Sequence, residues 1–228
     1  CDITRPVPNR LFLRPMVQTM VSAGIPLSAI TILVATGLHR PNEGEELAEL
    51  VGDPWVMTNV RVENHFARDE TMHVSLGRTA TRGTPIGLDR RFVEAELRIA
   101  TGLVEPHFMA GWSGGRKVIA PGVAHHETIR TFHSARFMED PLAVQCNLVG
   151  NPLHEEQLEI VRGLGPCYAL NTVIEGLPAD AALIYLHDLA LHPDARGGGV
   201  TGAIVERLSG DDLVGRRVQH PYTRQLLA

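Results

Sequence analysis

Apolar and polar positions along this chain follow two periods, and the period switches from segment to segment. Between Leu11 and Ala23 the apolar residues Phe12, Met16, Val17, Met20 and Val21 recur close to helical spacing, and Gly24 is a natural stop, so a helix is predicted there. Residues 29–35 (AITILVA) are a β-branched apolar run of the kind buried in parallel sheets, and residues 97–104 form a second strand-like run. Residues 60–64 and 72–76 alternate as strands do, with a weaker third at 84–88. A short helix is expected to start at Asn42 and run through Leu50, with Glu45 three residues on in a capping-box position. Helical patterns resume at 127–138 and 153–162.

Strands alternating with helices predict an α/β fold, a mostly parallel sheet flanked by helices, over residues 1–165 as one domain. Both buried runs, 29–35 and 97–104, are expected in that sheet. Residues 2–9 read as a loop, since Pro6 and Pro8 punctuate a polar stretch. Beyond residue 165 the pattern changes: 183–191 reads as strand then turn, and 194–202 is a Gly-rich loop opening a helix to Leu208. Residues 166–228 are therefore set apart as an atypical tail.

Composition acts mainly by exclusion. With 228 residues the chain can bury a full core, and a net charge of -5 leaves no basic footprint for nucleic acid. No apolar run approaches the roughly 20 residues that cross a bilayer, so no membrane partner is expected, and no secretory signal pattern is present. Cys1, Cys146 and Cys167 lack metal-type spacing and read as reduced thiols of a cytoplasmic protein. The chain starts on Cys1 rather than Met, in what looks like a strand end entering a functional loop, and reads as a fragment that has lost an N-terminal segment.

The chemistry concentrates directly after the second buried run. Residues 105–117 (EPHFMAGWSGGRK) bring His107, a Gly-rich turn and Lys117 to the carboxyl end of a strand, where open α/β sheets bind ligands. Ser113, Gly114 and Gly115 can offer backbone N–H groups to an anion, with Arg116 and Lys117 adding positive charge; a structural turn beside two solvated cations is the plainer alternative. His39 follows the first buried run, and His133 lies on the helix after 124–126. Imidazole suits both proton transfer near neutral pH and metal ligation. Of the 11 histidines, His65, His73, His154, His187, His192 and His220 are read as satisfied or exposed side chains without a chemical role.

Taken together, residues 2–6 (DITRP), 35–40 (ATGLHR), 105–107, 113–117, 121–123 (PGV) and His133 resemble, in order and spacing, the nickel-pincer racemases and epimerases typified by lactate racemase. The resemblance covers residues 1–165. It implies that Lys117 tethers a pyridinium mononucleotide bearing two sulfur-containing arms, that those sulfurs and a ring carbon hold nickel, and that His133 supplies the protein ligand. It implies His39 and His107 as paired acid/base residues, and Asp2, Thr4 and Arg5 as the lining of the cofactor or substrate site. Ser113, Gly114 and Gly115 would hold the cofactor near its phosphate. The implied substrate is a small 2-hydroxy acid and the implied partners are the enzymes that make the cofactor. A C–H beside a hydroxyl is weakly acidic, so inversion by hydride removal and return suits this chemistry. Two bases are needed because the hydroxyl points to different sides in the two enantiomers, and each positioned group contributes about 10²–10⁴-fold.

The resemblance implies a second, C-terminal domain, and the chain reads as truncated relative to the family. Residues 170–208 instead resemble part of the N-acetyltransferase superfamily, with Arg196 to Thr201 like its acetyl-CoA pyrophosphate-binding turn and Thr201 in place of the usual small residue. Such a short piece lacks most of that fold, so no useful acetyl-CoA binding is expected. An acetyl-CoA-dependent transferase fragment, or a domain that binds cofactor without turnover, are the alternative functions.

Overall fold

The computed structural model describes residues 1–174 and 183–185. Its helices are α1 (Asn9–Ser22), α2 (Gly44–Val51), α3 (Pro54–Asn59), α4 (Arg90–Val93), α5 (Arg116–Ile119), α6 (His126–Phe132), α7 (Ala135–Met138) and α8 (Pro152–Arg162). Its strands are β1 (Thr31–Val34), β2 (Arg61–Asn64), β3 (His73–Arg78), β4 (Pro85–Asp89), β5 (Ile99–Leu103), β6 (Pro106–His107), β7 (Gly111–Trp112), β8 (Tyr168–Val173) and β9 (Leu183–Tyr185).

The periodic residues of α1 do what their spacing implies: Phe12, Met16, Val17 and Met20 are buried, and only Val21, at the rim of the stripe, is exposed. They pack on Ile30, Val56 and Val60 and on Leu103 and Leu170, so one helix covers apolar side chains from both buried runs. Each such side chain contributes about 1.5–3 kcal/mol on burial. A second core gathers Leu88, Ile119, Phe132, Phe137, Leu153 and Ile160 between the β3–β4 hairpin and helices α5 to α8.

The fold is α/β with parallel ladders. β1 pairs with β2 in parallel, Thr31 opposite Arg61, and β5 pairs with β8 in parallel, Ile99 opposite Tyr168. The β3–β4, β6–β7 and β8–β9 pairings are antiparallel. The expectation of one sheet holding both buried runs is corrected here, because β1 and β5 lie on separate hydrogen-bonded ladders. An apolar run reports burial and says nothing of which strand supplies the neighbouring hydrogen bonds. Here both ladders reach the same core beneath α1 without bonding to each other. The parallel partner of β5 is β8, whose residues lie past the boundary drawn at residue 165.

Two local expectations also change. Asn42 does not cap α2, which begins at Gly44 after Glu43. Instead Asn42 is buried: its side-chain oxygen accepts from the Ile3 amide at 3.3 Å, and its backbone exchanges two hydrogen bonds with the Asn64 side chain. The helical pattern at 127–138 is two helices, α6 and α7, broken at His133 and Ser134. The tail expectations for residues 186–208, including the loop at 196–201, lie outside the described residues. Among the described residues no helix is long and apolar enough to cross a membrane.

Candidate active site

The two parallel ladders deliver their carboxyl ends to one region. β1 ends at Val34 and leads through Thr36, whose hydroxyl donates to the His65 carbonyl at 2.6 Å, into the turn carrying His39. Gly37 follows with φ +56 and its amide donates to the Gly122 carbonyl at 2.9 Å, fixing that turn against the segment after α5. β5 ends at Leu103 and leads to Glu105 and His107.

The N-terminal loop is organised by Asp2, which is buried. One carboxylate oxygen accepts from the Thr4 amide at 3.2 Å and the Thr4 hydroxyl at 2.5 Å, an Asx-type turn. The other lies 2.5 Å from His39 Nδ1. His39 is otherwise exposed, so its Nδ1 is engaged by carboxylate and its Nε2 faces outward. Arg5 forms an ion pair with Glu105, tying the N-terminal loop to the end of β5.

His107 is buried, and its Nδ1 accepts from the backbone amides of Ala110 at 3.1 Å and Met109 at 3.4 Å. Burial, then the positive charges of Lys117 and Arg5, with His133 and Arg116 adding to them, push its pKa down to about 3. A neutral ring whose Nδ1 accepts must carry its proton on Nε2. The exposed Phe108 ring stacks on His107 at 4.8 Å.

Lys117 sits on the single turn of α5. Burial first, and then the charges of Arg5 and Arg116, lower its ammonium to about 8, against a smaller opposite pull from Asp2. His133 is the exposed C-cap of α6, and its Nδ1 lies 2.7 Å from the Ile129 carbonyl. A carbonyl can only accept, so Nδ1 carries a proton, and Nε2 is the nitrogen whose lone pair a ligand takes when the ring is neutral, the arrangement that orients metal-binding imidazoles.

The Gly-rich loop is held from within. The Ser113 amide donates to the Glu105 carbonyl at 3.0 Å and its hydroxyl to the Leu103 carbonyl at 2.7 Å. The Gly115 amide donates to Asn171 Oδ1 at 2.9 Å. Gly114, at φ +78, is required: a Cβ there would meet Val104 Cγ2 at 2.7 Å and Asn171 Oδ1 at 2.8 Å. The amides of Ser113 and Gly115 are thus engaged inside the protein.

Asp2, Arg5, His39, His107, Lys117 and His133 are therefore linked, by direct contact or by charges acting on one another, with Thr4 on the Asp2 turn and Ser113, Gly114 and Gly115 on the loop leading to Lys117. Sequence reasoning missed the Asp2–His39 pair, the Arg5–Glu105 tie and Asn171. An Asn in the middle of the largely apolar strand 168–173 was the available signal for Asn171. Of the histidines assigned no role, His65 is fully buried between Asp89 and the Ala124 carbonyl, while His154 is pushed down to about 3 by burial and the charges of Arg116 and Arg162.

Residues 1–145 match the family described as the lactate racemase N-terminal domain. The chain is 35% identical over 174 residues to a lactate racemase of Lactiplantibacillus plantarum, and 34% identical over 174 residues to one of Thermoanaerobacterium thermosaccharolyticum. Each alignment covers 76% of this chain and 40% of the relative, so the chain spans well under half of those proteins. The lactate racemase apoprotein structure from T. thermosaccharolyticum superposes with TM-score 0.71 at 33% identity, over 76% of this chain and 41% of that one. A protein from Thermotoga maritima shares the fold, with TM-score 0.65 at 22% identity over 80% of this chain and 47% of that chain.

Proposed function

The chain belongs to the lactate racemase N-terminal domain family, and on that basis we propose that it is the cofactor-holding, acid/base part of a racemase or epimerase of lactate-like 2-hydroxy acids. The observation that carries the reading is the pairing of two differently prepared histidines, His39 on Asp2 and His107 buried and neutral, around a lysine whose amine is lowered to about 8.

The residues fit the nickel-pincer nucleotide. Lys117 is the tether, and its lowered pKa leaves a larger nucleophilic fraction at neutral pH than an ordinary lysine has. His133, with Nδ1 on the Ile129 carbonyl and Nε2 available, is the nickel ligand. Asp2, Thr4, Arg5, Ser113, Gly114 and Gly115 line the cofactor or substrate site, the loop without the Ser113 and Gly115 amides, which are already engaged. When bound, the group supplies a centre that accepts hydride from the substrate carbon and returns it.

The protein's own contribution is proton handling and orientation. His39 offers Nε2 as a base toward the substrate hydroxyl, and the Asp2 carboxylate on Nδ1 stabilises the imidazolium that results, as in other His–carboxylate pairs. His107 in this state offers Nε2–H as a hydrogen-bond donor to the substrate oxygen. It becomes a base at Nε2 only when Nδ1 leaves the Ala110 and Met109 amides and takes up a proton while Nε2 gives up its own. Arg5, freed from Glu105 or sharing it, presents a fork suited to a carboxylate. Three unbridged cysteines support a cytoplasmic setting, where cofactor-making enzymes would load the protein.

The test is to coexpress the chain with cofactor-making enzymes and measure intact mass, nickel and interconversion of lactate enantiomers. A covalent adduct lost in Lys117→Ala, nickel lost but adduct kept in His133→Ala, and turnover lost with both kept in His39→Ala and His107→Ala are expected. Adduct and nickel without turnover would point to a cofactor-binding fragment. A parent protein carrying neither sinks the reading.

A further inference from the structure

A second cluster of imidazoles lies at the other end of α6. His65, His73, His125 and His126 follow one another with ring centroids 5.1, 4.9 and 4.2 Å apart. His65 is saturated by Asp89 and Ala124, and His73 Nδ1 donates to the Asp69 carbonyl at 2.7 Å. His73 Nε2 is buried without a hydrogen-bond partner among the described residues, and so is one nitrogen of each of the last two rings. His125 is 8% exposed, and both its Nε2 and the His126 Nδ1 are buried without a hydrogen-bond partner among the described residues. A carboxylate oxygen of Glu70, from the short turn Glu70–Met72, lies 3.1 Å from His125 Nε2 yet off the direction a hydrogen bond needs. Orphaned buried polar atoms cost about 1–3 kcal/mol each, and an absent ion is one of the few physical reasons a fold keeps them.

We propose that Glu70, His125 and His126 form a binding site for a borderline divalent transition-metal ion such as zinc. Their ligand atoms all lie within 4.8 Å of one another. Donors around one such ion, each about 2.0–2.2 Å from it, stand about 3–4 Å apart, so closure needs a shift on the order of an ångström. Two imidazoles and a carboxylate are a donor set this class of ion takes, and three protein ligands leave a position for water. The Glu70 side chain is 74% exposed, which gives the ion a way in from solvent. Binding at His125 Nε2 moves the ring proton to Nδ1 and displaces the Glu127 amide, whose 3.4 Å contact is at the outer limit of a hydrogen bond. The site is distinct from His133: His125 precedes α6 and His133 follows it, about 12 Å apart along the helix axis.

The test uses the full chain, stripped with chelator and produced without cofactor-making enzymes, titrated with zinc in calorimetry and with cobalt in absorption spectroscopy. One equivalent is expected to bind the parent and the His133→Ala variant alike. Glu70→Gln and His126→Ala are expected to weaken binding by on the order of tenfold or more. Glu70 is exposed, so its variant folds even where His126→Ala does not. A parent that takes up no zinc overturns the site, as does unchanged affinity in Glu70→Gln or uptake that vanishes only with His133.

Discussion

At the scale of single residues, the site works by placing positive charges where they disfavour one another. Lys117, Arg5, Arg116 and His133 all act on His107, and Arg5 and Arg116 act on Lys117. The Lys117 amine is therefore expected to react with an acylating reagent with a pH midpoint near 8, read by peptide mass spectrometry. Replacing Arg5 by Ala removes a lowering charge and should move that midpoint up; Asp2→Asn removes a raising one and should move it down. A midpoint at the ordinary lysine value in the parent would contradict this account. His107 and Lys117 stood out in sequence because they follow a strand end and a Gly-rich turn, whereas Arg5 and the role of His133 came from the family resemblance. Their couplings were not legible, since the Asp2–His39 contact joins residues 37 positions apart and no periodicity reports it.

At the scale of elements, the decisive piece is the contact between the Gly-rich loop and β8. Asn171 accepts from the Gly115 amide and fills the space where a Cβ on Gly114 would point. Asn171→Ala orphans a half-buried amide and is expected to cost about 1 kcal/mol in denaturant unfolding. Gly114→Ala should cost about 1–3 kcal/mol through its positive φ and its clash. Both should loosen Lys117, one turn away, so the reagent midpoint of the parent should drift toward ordinary lysine. A loss of stability with Lys117 unchanged would separate loop anchoring from the site. The elements themselves were largely readable. α1, α8 and both buried strands follow their apolar periods, whereas the Asn42 cap failed because a buried Asn served a tertiary clasp instead, and the 127–138 helix broke where His133 caps α6. Local pattern carries local structure; which ladder a strand joins is set by partners far away in the chain.

At the scale of the whole molecule, burial acts most strongly on His107 and His154 among the described residues, each pushed down to about 3 from an ordinary 6.5. The unfolded chain protonates both between those values while the folded one does not. The unfolded state therefore binds more protons in that window, and stability rises with pH across it. Stability should be full above about 6.5 and fall as pH drops toward 3, by at most about 1.4 kcal/mol per pH unit for each histidine. Denaturation midpoints taken across pH 7 to 4 check this, and His154→Gln should flatten the acid limb. A limb unaltered by that change would remove His154 from the explanation.

The pairing of β5 with β8 has a consequence for how the molecule is made. Ile99 meets Tyr168 across the ladder, so during synthesis β5 leaves the ribosome long before its parallel neighbour exists. At about 5–20 residues per second the nascent chain spends several seconds with that strand edge open and the loop bearing Lys117 unanchored. Closing so long a segment also carries an entropic cost that local hairpins such as β3–β4 escape. Chains released at residue 145, where the family match ends, should thus be aggregation-prone, whereas chains ending after Val173 should stay in solution. Ribosome-arrested chains of graded length, probed by limited proteolysis, should become resistant only once residue 173 has cleared the exit tunnel.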